Sequence, residues 1–260
     1  MYENVKYEVT ESGVALITLN RPEAMNAFNL GLVQDMVAVA NQANQDENVK
    51  VVVVTGAGKG FSSGGDIALL FGMDSPAKAK LTYDASTSAV QAFYEIEKPV
   101  IAALNGPVAG ASTSLMMGCD LVIASEKAKL GFTFAQIAFC PDSGCSHFLV
   151  KKVGYQKAAE ILYFGKLLTA QEGFDLGLIN KIVPPEQLLD EAMKWAEQLA
   201  AGPLLAIKLD KKLLREAYHN DFYKQAELEA MYQVLTWSSD DFKEGCQAFI
   251  QKRKPNFTGK

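Results

Sequence analysis

Two stretches of small residues, FSSGGDI (61–67) and GPVAGASTS (106–114), each follow an apolar run, and side chains this small let another backbone come close. Amides exposed in the two loops could face one ligand. Two N–H groups aimed at a single carbonyl oxygen would stabilise the negative charge that develops as a thioester becomes an enolate. The same small residues would also let strands and helices pack tightly, and the loops by themselves leave both readings open. Ser112, Ser114, Ser143 and Ser146 are candidate nucleophiles, but His147 on the adjoining helical stretch has no marked acid partner, which argues against a serine triad.

A third reading of the first loop fails on spacing. In VVVVTGAGKG the glycines Gly56, Gly58 and Gly60 alternate as GxGxG rather than GxGxxG, and Lys59 precedes glycine where a phosphate-binding loop needs serine or threonine. The four cysteines, Cys119, Cys140, Cys145 and Cys246, form no CxxC pair, and two histidines are too few to complete an ordinary metal site. No metal is expected, and the cysteines read as reduced thiols. Glu95, Glu97, Glu126 and Glu160 sit among polar helical or turn residues and read as solvated surface.

A net charge of −5, with both signs spread along the chain, gives no basic stripe for nucleic acid or an anionic membrane. The opening MYENVKYEVTESG is neither a secretory nor an Arg-rich targeting segment, and the final FTGK is no peroxisomal signal. A cytoplasmic location is expected.

The elements that must position these loops follow from hydrophobic period. Residues 14–20 alternate as a half-buried strand, and 29–45 have helical spacing through Leu32, Val33, Met36, Val37 and Ala40. The unbroken run 51–54 predicts a strand covered on both faces. A helix follows over 77–96, then an apolar strand in KPVIAALNG. A third apolar run at 121–125 precedes the turn-rich CPDSG and a helix ending around Lys151, Lys152 and Gly154. After a last short strand, INKIV, the chain is helical from about Pro185, with interruptions at Gly202-Pro203 and 238–241. The organisation is therefore an α/β core over 1–184 and a helical region over 185–260.

Taken in order, NRPEAMNAFN (20–29), GKGFSSGGDI (58–67), KPVIAALNGPVAGA (98–111), CDLVIASEKAKLGF and AFIQKRKPNF resemble the crotonase, or enoyl-CoA hydratase/isomerase, family across nearly the whole chain. The resemblance implies a spiral of ββα units followed by helices that assemble a homotrimer or a dimer of trimers. It implies an acyl-CoA thioester as substrate and no separate cofactor. Residue by residue, it assigns the oxyanion-hole amides to Gly65 and Ala111. It places the CoA nucleotide along Asp66, Ile67 and Ala68, near Ala24 and Met25, with Phe249 and Lys252 reaching a neighbouring subunit's CoA.

Hydratases of this family use two glutamates, because water must be oriented and deprotonated while carbon receives a proton. The matching positions here are Ser114 and Phe134, and neither side chain transfers protons as a carboxylate does. The stretch AQIAFCPDSGCS (135–146) is similar instead to the loop carrying the single acid of enoyl-CoA isomerases, which assigns that acid to Asp142. An apolar tunnel including Phe134 and Phe139 would raise the carboxyl's pKa. Pro-Asp-Ser-Gly is also a turn signature in which Asp142 could cap a helix beginning at Ser143, and capping would lower that pKa. The favoured expectation is an enoyl-CoA isomerase. The alternatives are other enolate chemistry, such as hydration or isomerisation of a ring-modified acyl-CoA, and a non-catalytic acyl-CoA-binding subunit.

Overall fold

The chain enters through a hairpin of β1 (Val5–Val9) and β2 (Val14–Leu19), whose reversal puts Gly13 at φ 87°, a conformation glycine tolerates best. The computed structural model describes residues 2–259. Helix α1 (Leu30–Gln45) starts where Asn29 Oδ1 accepts the Leu32 N–H at 2.8 Å, one residue inside the expected boundary. It returns the chain to β3 (Val51–Gly56), buried along its whole length. The short α2 (Ile67–Phe71) and long α3 (Pro76–Tyr94) lead to β4 (Val100–Leu104), β5 (Val108–Ala109) and α4 (Ala111–Gly118). Next come β6 (Leu121–Ser125), β7 (Lys129–Gly131), a 3-10 turn at Thr133–Ile137, α5 (Cys145–Val153) and α6 (Tyr155–Tyr163). The succession closes with β8 (Leu167–Thr169), α7 (Ala170–Asp175), β9 (Lys181–Val183), α8 (Leu188–Ala200), α9 (Leu204–Glu216), α10 (Phe222–Trp237) and α11 (Asp240–Ile250).

Six strands pair in the order β1-β2-β3-β4-β6-β9; β1 is antiparallel to β2 and every other neighbour is parallel. A second sheet, β5-β7-β8, stands beside it. Alternation along buried strands separates two apolar layers. Val52, Val54, Ala102, Leu104, Val122 and Ala124 face the layer filled by α1 and α3, whereas Val51, Val53, Ile101, Ala103 and Ile123 face α8 through Leu188, Ala192, Ala196 and Ala200. Two covered faces explain why the valine run shows no polar alternation.

Parallel pairing has the consequence that matters for function. Because β3 and β4 run the same way, the loops after them emerge at the same edge of the sheet, where open α/β sheets place ligand sites.

Several expectations need correction. The strands β1, β5, β7 and β8 escaped the periodicity reading because most are only two or three residues long or half exposed. The C-terminal region has a further break at 217–221, where Asp221 caps α10 by accepting the Lys224 N–H at 3.0 Å. Within the helical region over 185–260, α8 covers the sheet through Leu188, Ala192, Ala196 and Ala200 before the chain breaks at Gly202-Pro203. Beyond it, α10 buries none of its residues and exposes Phe222, Tyr223, Met231, Val234 and Trp237. No described helix is long and apolar enough to cross a membrane.

Candidate active site

The first loop is held by a residue far from it in sequence. Asn26, fully buried and in the left-handed region at φ 53°, donates from Nδ2 to the carbonyls of Ala57, Gly60 and Phe61 at 2.9–3.1 Å, and its Oδ1 accepts the Arg21 N–H. Ser62 Oγ donates to the Asn26 carbonyl at 2.8 Å and accepts the Gly64 N–H at 3.1 Å. The backbone of Phe28 brackets the same loop, its N–H donating to the Gly64 carbonyl and its carbonyl accepting the Asp66 N–H.

The second loop is laid on the first by backbone pairing. Phe61 and Ser62 N–H groups both donate to the Pro107 carbonyl, and the Ala109 N–H donates to the Ser62 carbonyl. Ser112, buried, ties both together: its Oγ lies 2.8 Å from the Ser62 carbonyl and accepts the Ala109 N–H at 3.1 Å. The contact is too close for a side chain at Gly64, where a Cβ would strike the Ala109 carbonyl oxygen. Gly64, at φ 86°, and Gly110, at φ 55°, turn the two strands of backbone against each other.

Gly65 and Ala111 follow those two glycines, and both line one cavity of about 130 Å³. Neither N–H donates a hydrogen bond among the described residues. Ala111 is also the first residue of α4, so its amide carries the positive end of the helix dipole.

Asp142 faces the same cavity from the loop between the 3-10 turn and α5. The alternative role as a helix cap is ruled out by the geometry. Ser143 at φ 49° and Gly144 at φ 86° reverse the chain, α5 begins only at Cys145, and it is the Asp142 carbonyl, not its carboxyl, that accepts the Cys145 N–H. The carboxyl oxygen Oδ1 is buried with no hydrogen-bond partner. Burial pushes the Asp142 pKa up from the usual carboxylate value, while the nearby Ser143 hydroxyl pulls it partly back. That hydroxyl is close enough to act electrostatically but makes no hydrogen bond of acceptable geometry.

Apolar walls account for the burial. Phe134 and Phe139 both line the cavity, and the Phe139 ring lies 5.7 Å from that of Tyr83 on α3. Phe28, Leu70, Tyr83 and Ile137 complete much of the surface; sequence reading missed them because they are ordinary apolar residues brought together from four separate segments. Asp142 is the one carboxyl among the described residues that line the cavity.

The remaining assignments divide. Ile67 sits on the rim, largely exposed, while the Asp66 carboxylate caps α2 by accepting from Ala68 and Leu69 and lies 3.5 Å from Arg21. Ala24 belongs to a 3-10 turn, and the Met25 carbonyl braces the first loop by accepting the Ser63 N–H; neither residue lines the cavity. Phe249 is exposed at the end of α11, Lys252 lies just beyond, and neither lines the cavity within one chain. Ser114, fully buried, donates from Oγ to the Asp142 carbonyl at 3.1 Å and thereby anchors the acid's loop to α4.

Other chemistries lose ground. His147 stacks on His219 and meets Phe148, with no serine partner, and the described residues contain no cluster of potential metal ligands. Burial raises the Cys145 thiol to about 11, which leaves it protonated and weakly nucleophilic.

A sequence profile of the enoyl-CoA hydratase/isomerase family matches residues 9–260. The chain belongs to that family. The 1,2-epoxyphenylacetyl-CoA isomerase of Escherichia coli K12 is 35% identical over 96% of this chain and 97% of its own length. The crotonyl-CoA hydratase of Syntrophomonas wolfei is 35% identical over 100% and 99%. The crystal structure of an enoyl-CoA hydratase from Bacillus anthracis superposes with a TM-score of 0.95 at 30% identity, over 99% of this chain and 100% of that one. The expected ββα spiral is therefore the crotonase fold, and the chain is an enzyme of a family that acts on acyl-CoA substrates. Relatives named as hydratases and as isomerases occur at the same identity.

Proposed function

We propose that this crotonase-family enzyme is an enoyl-CoA isomerase that moves a β,γ double bond of an acyl-CoA thioester into conjugation with the carbonyl. The observation that carries this reading is the single carboxyl in the cavity. The two positions matched to the hydratase glutamates hold Ser114, whose hydroxyl is committed to a backbone carbonyl, and Phe134, an apolar wall. Two-carboxylate activation of water has no second acid to use.

One carboxylate suffices for a double-bond shift. Asp142 removes a proton from the α-carbon; the electron pair delocalises through the thioester carbonyl and the β,γ double bond, and the dienolate oxygen rests on the Gly65 and Ala111 amides. The same proton returns to the γ-carbon, leaving the double bond between α and β. Asp142 ends ionised as it began, and neither water nor a metal or redox cofactor enters the balance. Desolvation raises the carboxylate's basicity in the direction that proton abstraction requires.

The CoA nucleotide is assigned to the first-loop face at Asp66, Ile67 and Ala68, near Ala24 and Met25. Phe249 and Lys252 would serve the site of a neighbouring copy in a trimer or dimer of trimers. The apolar residues exposed on α10 and α11 are consistent with such an assembly. A second reading, isomerisation of a ring-modified acyl-CoA, draws support from the aromatic wall of Phe28, Tyr83, Phe134 and Phe139 and from the name of the E. coli relative.

The test is the growth of conjugated-enoyl absorbance when the protein meets 3-hexenoyl-CoA, alongside an Asp142→Asn variant whose CoA binding is measured separately. Turnover lost in a variant that still binds supports the reading. Turnover that survives removes Asp142 from the mechanism, and tight acyl-CoA binding without turnover points to another substrate or a binding subunit.

A further inference from the structure

Ser143 combines two features that ordinary loop residues do not share. Its backbone is in the left-handed region at φ 49°, which strains a non-glycine residue, although a glycine stands immediately after it. Its side chain is only 7% exposed, and its hydroxyl is buried with no partner. A buried, unpaired hydroxyl has lost its hydrogen bonds to water with nothing in return. Cost of both kinds at one residue needs a compensating role.

The neighbour that gives it one is the second unpartnered atom of the same loop, Asp142 Oδ1. The two unpartnered atoms belong to adjacent residues, Asp142 lining the cavity and Ser143 a neighbouring pocket bounded by Val90, Gln91 and Phe148, and Ser114 on α4 holds the backbone between them through the Asp142 carbonyl. The groups around the carboxyl offer no competing cation. Tyr83 faces it from α3 and Cys145 from α5; burial raises both so that they stay neutral. Thr113 and Ser114 of α4 spend their hydroxyls elsewhere, on the Gly110 and Asp142 carbonyls.

We propose that Ser143 is a positioning residue for the reaction: its hydroxyl donates to the Asp142 carboxylate once an acyl chain has displaced water, aiming the base and stabilising its charged form between proton transfers. The inference rests on Asp142 being the base of the proposed isomerisation. Ser143 touches no reacting atom. It lets an acid in an apolar pocket remain ionised at neutral pH without a cation that would make it a poor base.

Two variants separate this role from a structural one. Ser143→Gly removes the hydroxyl and suits the left-handed backbone, while Ser143→Asn keeps a donor on a residue that also tolerates that conformation. The Asp142 carboxyl is titrated by carbon-13 NMR in protein labelled at aspartate and saturated with hexanoyl-CoA, its signal assigned by its loss in Asp142→Asn. In Ser143→Gly its pKa is expected to rise by about one unit, as for loss of one hydrogen bond to a charged group. The acid limb of kcat for 3-hexenoyl-CoA, which reports the substrate complex, should move up equally, with KM little changed, and Ser143→Asn should recover part of both shifts. An unmoved titration or an unmoved acid limb overturns the proposal. A shifted titration in an enzyme that never isomerises 3-hexenoyl-CoA overturns the catalytic role and the isomerase reading together, while leaving the pairing of Ser143 with Asp142 intact.

Discussion

The two sides of the cavity are built in opposite ways. On the amide side, Asn26, Ser62 and Ser112 engage backbone groups of Asn26, of several residues between 57 and 64 and of Ala109, and two glycines pack backbone on backbone. On the acid side, one side-chain hydrogen bond from Ser114 holds the Asp142 carbonyl, the backbone adopts two successive left-handed residues, and two polar atoms have no partner. The difference matches the task of each side. Amides that stabilise an oxyanion must stay fixed while charge moves past them. A carboxyl that accepts and returns a proton must be comparably stable in both protonation states, and a full set of hydrogen bonds would trap it as the anion.

The largest expected effect comes from removing the acid. Asp142→Asn should lower kcat for 3-hexenoyl-CoA by about 10³-fold with acyl-CoA affinity retained, measured by absorbance and by calorimetry respectively. On the amide side, Asn26→Ala leaves the buried carbonyls of Gly60 and Phe61 and the half-buried one of Ala57 unpaired and should cost about 3 kcal/mol of stability, read from denaturant unfolding. Ala111→Pro deletes one N–H at a first helical position that accepts proline, and that N–H has no protein acceptor to lose. A fall of about 10²-fold in kcat with the fold intact by circular dichroism is expected; an unchanged kcat would remove this amide from the oxyanion site.

Smaller effects sharpen the contrast. Ser114→Ala frees the acid loop from α4 and should lower kcat by roughly tenfold with KM unchanged, as expected when geometry rather than binding is lost. The smallest signal is thermodynamic. Because burial raises the Asp142 pKa in the folded chain, the native state holds that proton more tightly than the unfolded state, and stability falls as pH rises from the unfolded toward the folded value. Above the folded pKa that loss is complete, so Asp142→Asn should melt slightly higher than wild type at neutral pH. The gain should shrink as pH drops through the folded pKa, measured by scanning calorimetry across pH. A variant that gains stability while losing turnover is the behaviour of a residue kept for chemistry.

Much of this was legible in the chain. The valine run of β3, the amphipathic helix α1 and the proline opening β4 depend on neighbouring residues and hydrophobic period, so local sequence determines them. The motif spacing likewise determines the family, the small-residue loops and the absence of a second carboxyl at Ser114 and Phe134. What only the tertiary structure decided is non-local. Gly65 and Ala111 share a cavity because parallel pairing of β3 and β4 brings two loops to one edge, and because Asn26, 31 to 35 residues before the carbonyls it binds, organises the first loop. Pro-Asp-Ser-Gly was compatible with a helix cap or a free acid, since the same local signal serves both. The choice fell to the left-handed turn at Ser143 and Gly144, the Ser114 hydrogen bond and the desolvating wall of Phe134 and Phe139, which are contacts among distant residues that no local pattern contains.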